Sequence, residues 1–514
     1  MLGALSGLDY LGQDILTTLV FLPTLGALIL AFLSSEAKLA IRWIGLLTAG
    51  FTFAVSVVIA ARFDPSAAGI ASFRVDKPWM PRFGIRYLLG IDGLALALIL
   101  LTTLLTLCVL LVACGQKIER WKGYMISFLV LETGMLGSLV ALDVILFYVF
   151  WEVMLVPMYF IIGIWGGKRR IYAAMKFFLF TFVGSLFMFL AILYTARVYT
   201  KATGFTSFSL LDWLRLSAGN GWGLTPSVET LLFAAFALAF LVKVPLWPLH
   251  TWLPDAHVEA PTGGSIILAG VLLKLGTYGL LRFAIPLFPS ASAVATPLIA
   301  VLALIGIVYG AWVAAAQKDM KKLVAYSSVS HLALVVLGIF AANGTALSGA
   351  VFQMVGHGLT TGLLFLLVGV VYERRHTREM ADYGGIAGFV PVTTTLFLIA
   401  ALGSVGLPGL NGFVGEFLIL AGVFKASVVW CAVGATGMIL GAVYLLTLVQ
   451  KVFWGPVTVE ANRALTDING WELAGALPIA VLIIVLGVVP QPLLRMFEGS
   501  MNQVVELARA GVLR

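Results

Sequence analysis

Charge is scarce in this sequence. Only 11% of its 514 residues are Asp, Glu, Lys or Arg and 61% are hydrophobic, whereas a soluble domain carries about a quarter charged residues. Water is therefore not the main solvent of the folded chain. Cysteine is nearly absent: Cys108, Cys114 and Cys431 are the only three, too few and too scattered for a zinc or iron–sulfur centre, which draws about four ligands in close pairs. No metal centre is expected. No G-x-G-x-x-G turn follows a strand and no P-loop occurs; Gly409, Gly412 and Gly415 have another spacing and lie in an apolar run. The chain is expected to bind neither NAD nor ATP, and no cofactor of its own. Its start, MLGALSGLDYLGQD, lacks a basic n-region and a small-residue cleavage site, so the first apolar span is expected to be retained. The net charge of +8 does not point to nucleic acid, because the Lys and Arg fall mostly in short loops between apolar stretches.

What is present is a succession of apolar runs of about 20 residues, each long enough to cross a bilayer. They predict one all-α, polytopic membrane protein of about fourteen transmembrane helices. The spans begin near Ile15, Leu39, Ile91, Tyr124, Asp143, Ile171, Val228, Pro261, Val294, Lys321, Thr345, Ile386, Val428 and Glu472. Basic loops at Lys117, Arg120 and Lys122, at Lys168 to Arg170, at Lys318, Lys321 and Lys322, and at Arg374, Arg375 and Arg378 all follow odd-numbered spans. The positive-inside rule makes these cytoplasmic and puts both termini outside. The basic loop from Arg62 to Arg86 goes against that pattern, softened by Asp64 and Asp76. FTSFSLLDWLRL, from Phe205 to Leu216, suits a short amphipathic helix at the interface, and the tail MFEGSMNQVVELARAGVLR a second.

The stretch from Ala239 to Gly279 puts Lys243 after an apolar run, Pro245 and Pro248 directly behind it, and Lys274 inside the next span. A lysine at that depth costs roughly 2.5 to 3.5 kcal/mol, which rules against a lipid-facing position. Pro245 lacks an N–H and crowds the carbonyl of Leu241, so the helix should loosen beside the ammonium, a break tolerated only against protein or a water-filled cavity. Span five carries Glu152 in its middle, a costly acid that reads as the carboxylate partner of Lys243 rather than a packing contact. Burial and mutual contact would pull on both groups in opposite senses, so the two should titrate as a coupled pair. His331 follows the polar run Ser327, Ser328 and Ser330 and has the two ring nitrogens a proton relay needs; as a lone membrane histidine it could also be a packing group. His357 in FQMVGHGLTTG and Glu132 in LVLETGML are weaker candidates of the same kind. Glu416 follows the break at Leu407, Pro408 and Gly409, and Tyr326, Ser327 and Thr360 could hold bridging waters. His250, Asp255, His257 and Glu259 cluster, but their spacing and Pro254 exclude a helix-face ligand pair, leaving a connection between helices.

The segments LVKVPLWPLHTWLPDAHVEAPT and ILAGVLLKLGTYGLLRFAIPLFP, with SSVSHLAL and LPGLNGFVGEFLIL further on, resemble the antiporter-like membrane subunits of proton-pumping NADH:quinone oxidoreductase, respiratory complex I. The resemblance runs most strongly from Tyr124 to Phe453. It implies two inverted repeats with discontinuous helices, residues 124–290 and 291–455, flanked by N-terminal helices in 1–123 and a last helix and tail in 456–514; the paired breaks beside Lys243 and Glu416 fit such repeats. It implies proton translocation through Glu152, Lys243, Lys274, His331 and Glu416, with Lys274 as the middle relay and His357 and Glu132 as further candidates. Glutamate at 416 stands where sister subunits carry lysine. NADH, FMN, iron–sulfur clusters and quinone would be handled by other subunits. The partners implied are the other membrane subunits of the complex, above all the two sister antiporter-like chains, within a bacterial inner or mitochondrial inner membrane. A sodium/proton antiporter subunit, a ferredoxin-fed photosynthetic-type dehydrogenase and a non-transporting scaffold remain as alternatives.

Overall fold

The computed structural model describes residues 9–66, 72–219 and 221–512. The first eight residues, part of the stretch read for a leader, and the last two of the tail lie outside the described residues. Among the described residues, thirteen helices are long and apolar enough to cross a membrane. A further crossing, the twelfth in order, consists of two half-helices, Pro391–Val405 and Asn411–Ala426. The chain is an all-α multi-pass membrane protein, as its composition requires. Lipid-facing spans are recognisable by exposed large side chains, among them Leu47 and Phe51 on span two (Lys38–Arg62) and Leu186, Phe187 and Leu190 on span six (Arg170–Thr203). Span eight (Thr262–Leu287) and span eleven (Gly344–Arg375) are enclosed by the others.

Several helices that carry candidate charges are irregular, whereas spans four (Trp121–Val140), ten (Met320–Phe340) and eleven, with Glu132, His331 and His357, run uninterrupted. Span seven stops at Lys243, and a separate short helix, Trp252–Glu259, resumes after Pro245 and Pro248. Protein groups take over the carbonyls that the break frees: Leu246 N donates to Leu241 O at 2.9 Å and the Trp252 indole to Val242 O at 2.9 Å. Span twelve breaks at Gly406, whose φ of 82° is a left-handed conformation that glycine adopts without strain. Two further irregularities were not foreseen. Span five is interrupted at Met154, between Val144–Val153 and Leu155–Trp165, where Pro157 has no N–H for the carbonyl four residues back. Span eight has π-helical turns at Leu268–Leu272 and Leu280–Ala284, on either side of Lys274; such turns tend to mark functional positions.

A β-hairpin, β1 (Ser72–Met80) paired antiparallel with β2 (Ile85–Ile91), fills the loop between spans two and three. Nothing in the all-helical reading anticipated it. Its basic residues are answered locally, Arg74 and Arg86 by Asp76 at 2.6 Å each and Lys77 by Asp14 at 2.7 Å, which removes most of the charge that set this loop against the positive-inside pattern. At the opposite end the other basic loops converge: Lys117, Arg120, Arg170, Lys321 and Arg378 line one cavity of about 460 Å³. The amphipathic segment forms the helix Leu210–Ala218, capped by Ser209 and anchored by the buried Trp213. The tail forms a second helix, Gln491–Val512, which packs on spans three, nine and eleven.

Spans eleven and twelve approach backbone to backbone. A Cβ on Gly349 would stand 2.5 Å from Ile419 N and one on Gly422 2.4 Å from Ala346 N, the small-residue contact by which membrane helices gain packing. Gly422→Val is expected to lower stability by about 1 to 3 kcal/mol through overpacking, read as a fall in Tm of the detergent-solubilised protein. Gly50→Val, with nothing within 4 Å of the added carbon, is the control and should leave Tm unchanged.

Candidate functional site

Lys243 ends the first half of span seven with its ammonium fully buried and without a hydrogen-bond partner. It lies over the Trp151 ring at 5.0 Å and the Phe177 ring at 5.8 Å, two aromatic faces that attract a desolvated cation. Glu152 follows Trp151 on span five and has Tyr148 and Ser185 against its half-buried carboxylate. No direct ion pair joins Lys243 and Glu152, and one carboxylate oxygen of Glu152 has no partner.

Lys274 belongs to a connected row. Its ammonium donates to the Ala269 carbonyl, which the π-turn presents to it, and meets His357 Nδ1 at 2.7 Å. The His357 ring lies 5.7 Å from that of His331. His331 Nδ1 contacts Glu416 Oε1 at 3.0 Å, and its Nε2 faces Tyr444 Oη at 3.3 Å and Ser404 Oγ at 3.4 Å. Gln353 Nε2 donates to the same Glu416 oxygen at 3.2 Å. The row crosses from span eight through spans eleven and ten to the second half of span twelve. Its Glu416 end lies just after the break in span twelve, while Lys243, outside the row, lies just before the break in span seven.

No side-chain hydrogen bond among the described residues links Lys243 to Lys274. Between them spans seven and eight touch at Gly276, where a Cβ would stand 2.6 Å from Phe240 O. Buried polar atoms without a protein partner occur beside Lys243, on Trp151, Glu152 and Lys243 itself, and in the row on His357 and Glu416. Buried groups of this kind are normally satisfied, and ordered water is what satisfies them where protein does not.

The transmembrane family described as NADH:quinone oxidoreductase/Mrp antiporter matches residues 141–441. The chain belongs to that family. It is similar to "NADH-quinone oxidoreductase subunit M" of Rhodobacter capsulatus, 45% identical over 502 residues that cover 96% of this chain and 97% of the relative. "NADH-ubiquinone oxidoreductase chain 4" of Arabidopsis thaliana is 41% identical over 493 residues, covering 96% and 97%. Among solved structures, respiratory complex I from Thermus thermophilus with bound NADH contains a chain that superposes with a TM-score of 0.85 at 34% identity, over 96% of this chain and 99% of that one.

Of the site residues expected for this family member, Lys274, His357, His331 and Glu416 are joined by contacts, and His357, the weaker histidine candidate, stands between Lys274 and His331. Lys243 and Glu152 form a separate group. Glu132 joins neither: it is fully buried in span four (Trp121–Val140) and both its oxygens lack a partner. Gln353, Ser404, Tyr444 and Trp151 were missed. A signal existed for Gln353, which precedes His357 by one helical turn and so shares its face; none existed for Tyr444, brought in from span thirteen (Val428–Val452). In the cluster tested for metal ligation, Asp255 pairs with Lys176 at 2.6 Å, Glu259 accepts Arg169 N at 2.8 Å, and His257 stacks on Phe365 at 4.5 Å. Asp255 and Glu259 are spent on holding the helix connection together.

A Cβ on Gly406 would stand 2.8 Å from Glu416 Oε2. Gly406→Ala is expected to cost about 1 to 2 kcal/mol for the left-handed backbone alone and to push the carboxylate away from His331. A structure of the variant that keeps the His331 to Glu416 contact at 3.0 Å would contradict this.

Proposed function

We propose that this chain is a proton-translocating subunit of the membrane arm of an NADH:quinone oxidoreductase, the M-type antiporter-like subunit. It would hold no redox centre, and NADH, FMN, iron–sulfur clusters and quinone would be met by other subunits. The observation that carries the reading is the row Lys274, His357, His331 and Glu416, four ionisable side chains linked through the apolar interior by contacts of 2.7 Å and 3.0 Å and one ring pair. Side chains at such depth are costly and typically mark proton relays.

In this reading Glu152 controls Lys243. When the carboxylate approaches, the ammonium is favoured; when it withdraws, as in the arrangement where Lys243 rests on Trp151, the lysine gives up its proton. The proton reaches Lys274 through water near the helix breaks, passes by His357 to His331, whose second nitrogen allows uptake at one side and release at the other, and leaves by Glu416. Glu132 takes no part in the row, and we assign it no step. Moving one charge against 100 mV costs about 2.3 kcal/mol, which a change in proton affinity of about fiftyfold supplies. A neighbouring subunit would drive the cycle by shifting the Glu152 to Lys243 distance.

Residues 124–290, with interruptions in spans five and seven, and 291–455, with the break in span twelve, would be the two inverted repeats, between N-terminal helices in 1–123 and the closing helix and tail in 456–514. The partners would be the other membrane subunits, including the two sister antiporter-like chains, in a bacterial or mitochondrial inner membrane with the basic loops on the cytoplasmic or matrix side.

Lys243→Ala in the assembled complex is the test, with NADH oxidation and proton uptake measured together in membrane vesicles. Proton uptake is expected to fall by about tenfold or more. Uptake at the full rate would overturn the assignment, as would sodium/proton exchange by the chain without NADH.

A further inference from the structure

Lys274, Tyr278 and Arg282 follow one another at intervals of four along span eight and so share one face of the helix. The face continues from the centre of the bundle toward the end opposite the basic loops. With a rise of about 1.5 Å per residue, Arg282 sits roughly 12 Å from Lys274 along the axis. Arg282 ion-pairs with Asp92, the residue that caps span three (Gly93–Cys114) by accepting Ala95 N at 2.9 Å. Its Nε donates to Tyr278 Oη at 3.2 Å, and Tyr278 donates in turn to Leu139 O at 2.9 Å. All three side chains are buried, Arg282 at 5% exposure.

This cluster differs from the row around Lys274 in one respect. Asp92, Tyr278 and Arg282 contribute no buried polar atom without a protein partner, whereas His357 and Glu416 of that row do. A buried network whose members satisfy one another is rigid and needs no water. Above it the bundle is also covered. The C-terminal helix presses its backbone onto the start of span three, where a Cβ on Gly93 would stand 1.7 Å from Met496 O, and the Trp222 indole and Ser217 both donate to Leu287 O at the end of span eight, at 2.6 Å and 2.9 Å.

We propose that the Asp92–Arg282 pair is a seal that closes the direct way out from Lys274, so that a proton there can leave only sideways through His357 and His331. The proposal rests on the proton-translocating reading above. A guanidinium holds its proton at every physiological pH, so unlike a lysine it cannot hand one on. A fixed cation on the path repels a hydrated proton, the device by which some pores exclude protons. The aspartate makes the buried cation tolerable; removal of one partner alone would leave an uncompensated charge.

The test uses inside-out vesicles carrying the whole complex, with NADH oxidation, the pH gradient at steady state and its decay after NADH is exhausted all recorded. Asp92→Asn combined with Arg282→Gln removes both charges and keeps hydrogen-bonding groups in place. It is expected to oxidise NADH yet hold a smaller gradient that decays about threefold faster or more. If the double variant does not assemble, Arg282→Gln alone, where Asp92 can take up a proton, carries the same expectation. An assembled variant with the wild-type gradient and wild-type decay would overturn the seal. Lys243→Ala in the same vesicles separates the two ideas, being expected to lower the gradient without faster decay. If it pumps fully, the proton-translocating role falls. If it fails to pump while the charge-free variant decays at the wild-type rate, the seal alone falls.

Discussion

A charged side chain inside hydrocarbon must be answered by the protein that encloses it, and this constraint organises the whole bundle. An ammonium at Lys274 is held because a π-turn turns the Ala269 carbonyl toward it and span eleven brings His357 alongside. A carboxylate at Glu416 is held because span twelve breaks over Gly406 and spans ten and eleven supply His331 and Gln353. Spans seven, eight and twelve are irregular near Lys243, Lys274 and Glu416, while a regular one such as span six turns large apolar side chains to the lipid. At the break after Lys243 the backbone gives up helical hydrogen bonds, and the Trp252 indole replaces one of them.

The same constraint sorts buried charges into two kinds. Arg282 with Asp92, and Arg374 with Glu472 at 2.7 Å, are saturated pairs that hold helices together. Lys243, Glu152, His357 and Glu416 are left with atoms that no protein group satisfies. A group with every hydrogen bond made has no inexpensive alternative state, whereas one with a free lone pair or proton can exchange it with water. Glu132 also keeps two such atoms, whereas Lys274 and His331 have none, so hydrogen-bond completeness by itself does not mark out the row.

Much of the fold was readable before any coordinates. Apolar runs of bilayer length located every crossing, because the requirement to satisfy the backbone in lipid leaves helices as the only solution for such runs. Pro245 and the Leu407 to Gly409 sequence announced the breaks in spans seven and twelve, since proline removes a donor and glycine opens conformations closed to other residues, but the interruption of span five went unread. The hairpin Ser72–Ile91 was not legible: its strands are short, carry Pro78 and charges, and hold together through ion pairs to Asp76 and Asp14, partners that local pattern does not reveal. The π-turns around Lys274 left no mark in composition, because they arise from how span eight fits its neighbours.

By itself the sequence determined which side chains are too costly to face lipid and must therefore be buried: Glu132, Glu152, Lys243, Lys274, His331, His357 and Glu416. Only the tertiary structure decided which of them meet. It joined His357 to Lys274 and Glu416 to His331, set Lys243 over the Trp151 ring, brought Tyr444 across from span thirteen and left Glu132 alone. Transfer cost is a property of one residue and its local run. A contact between spans eight and eleven, 83 residues apart in sequence, depends on how whole helices pack, and no local pattern carries that information.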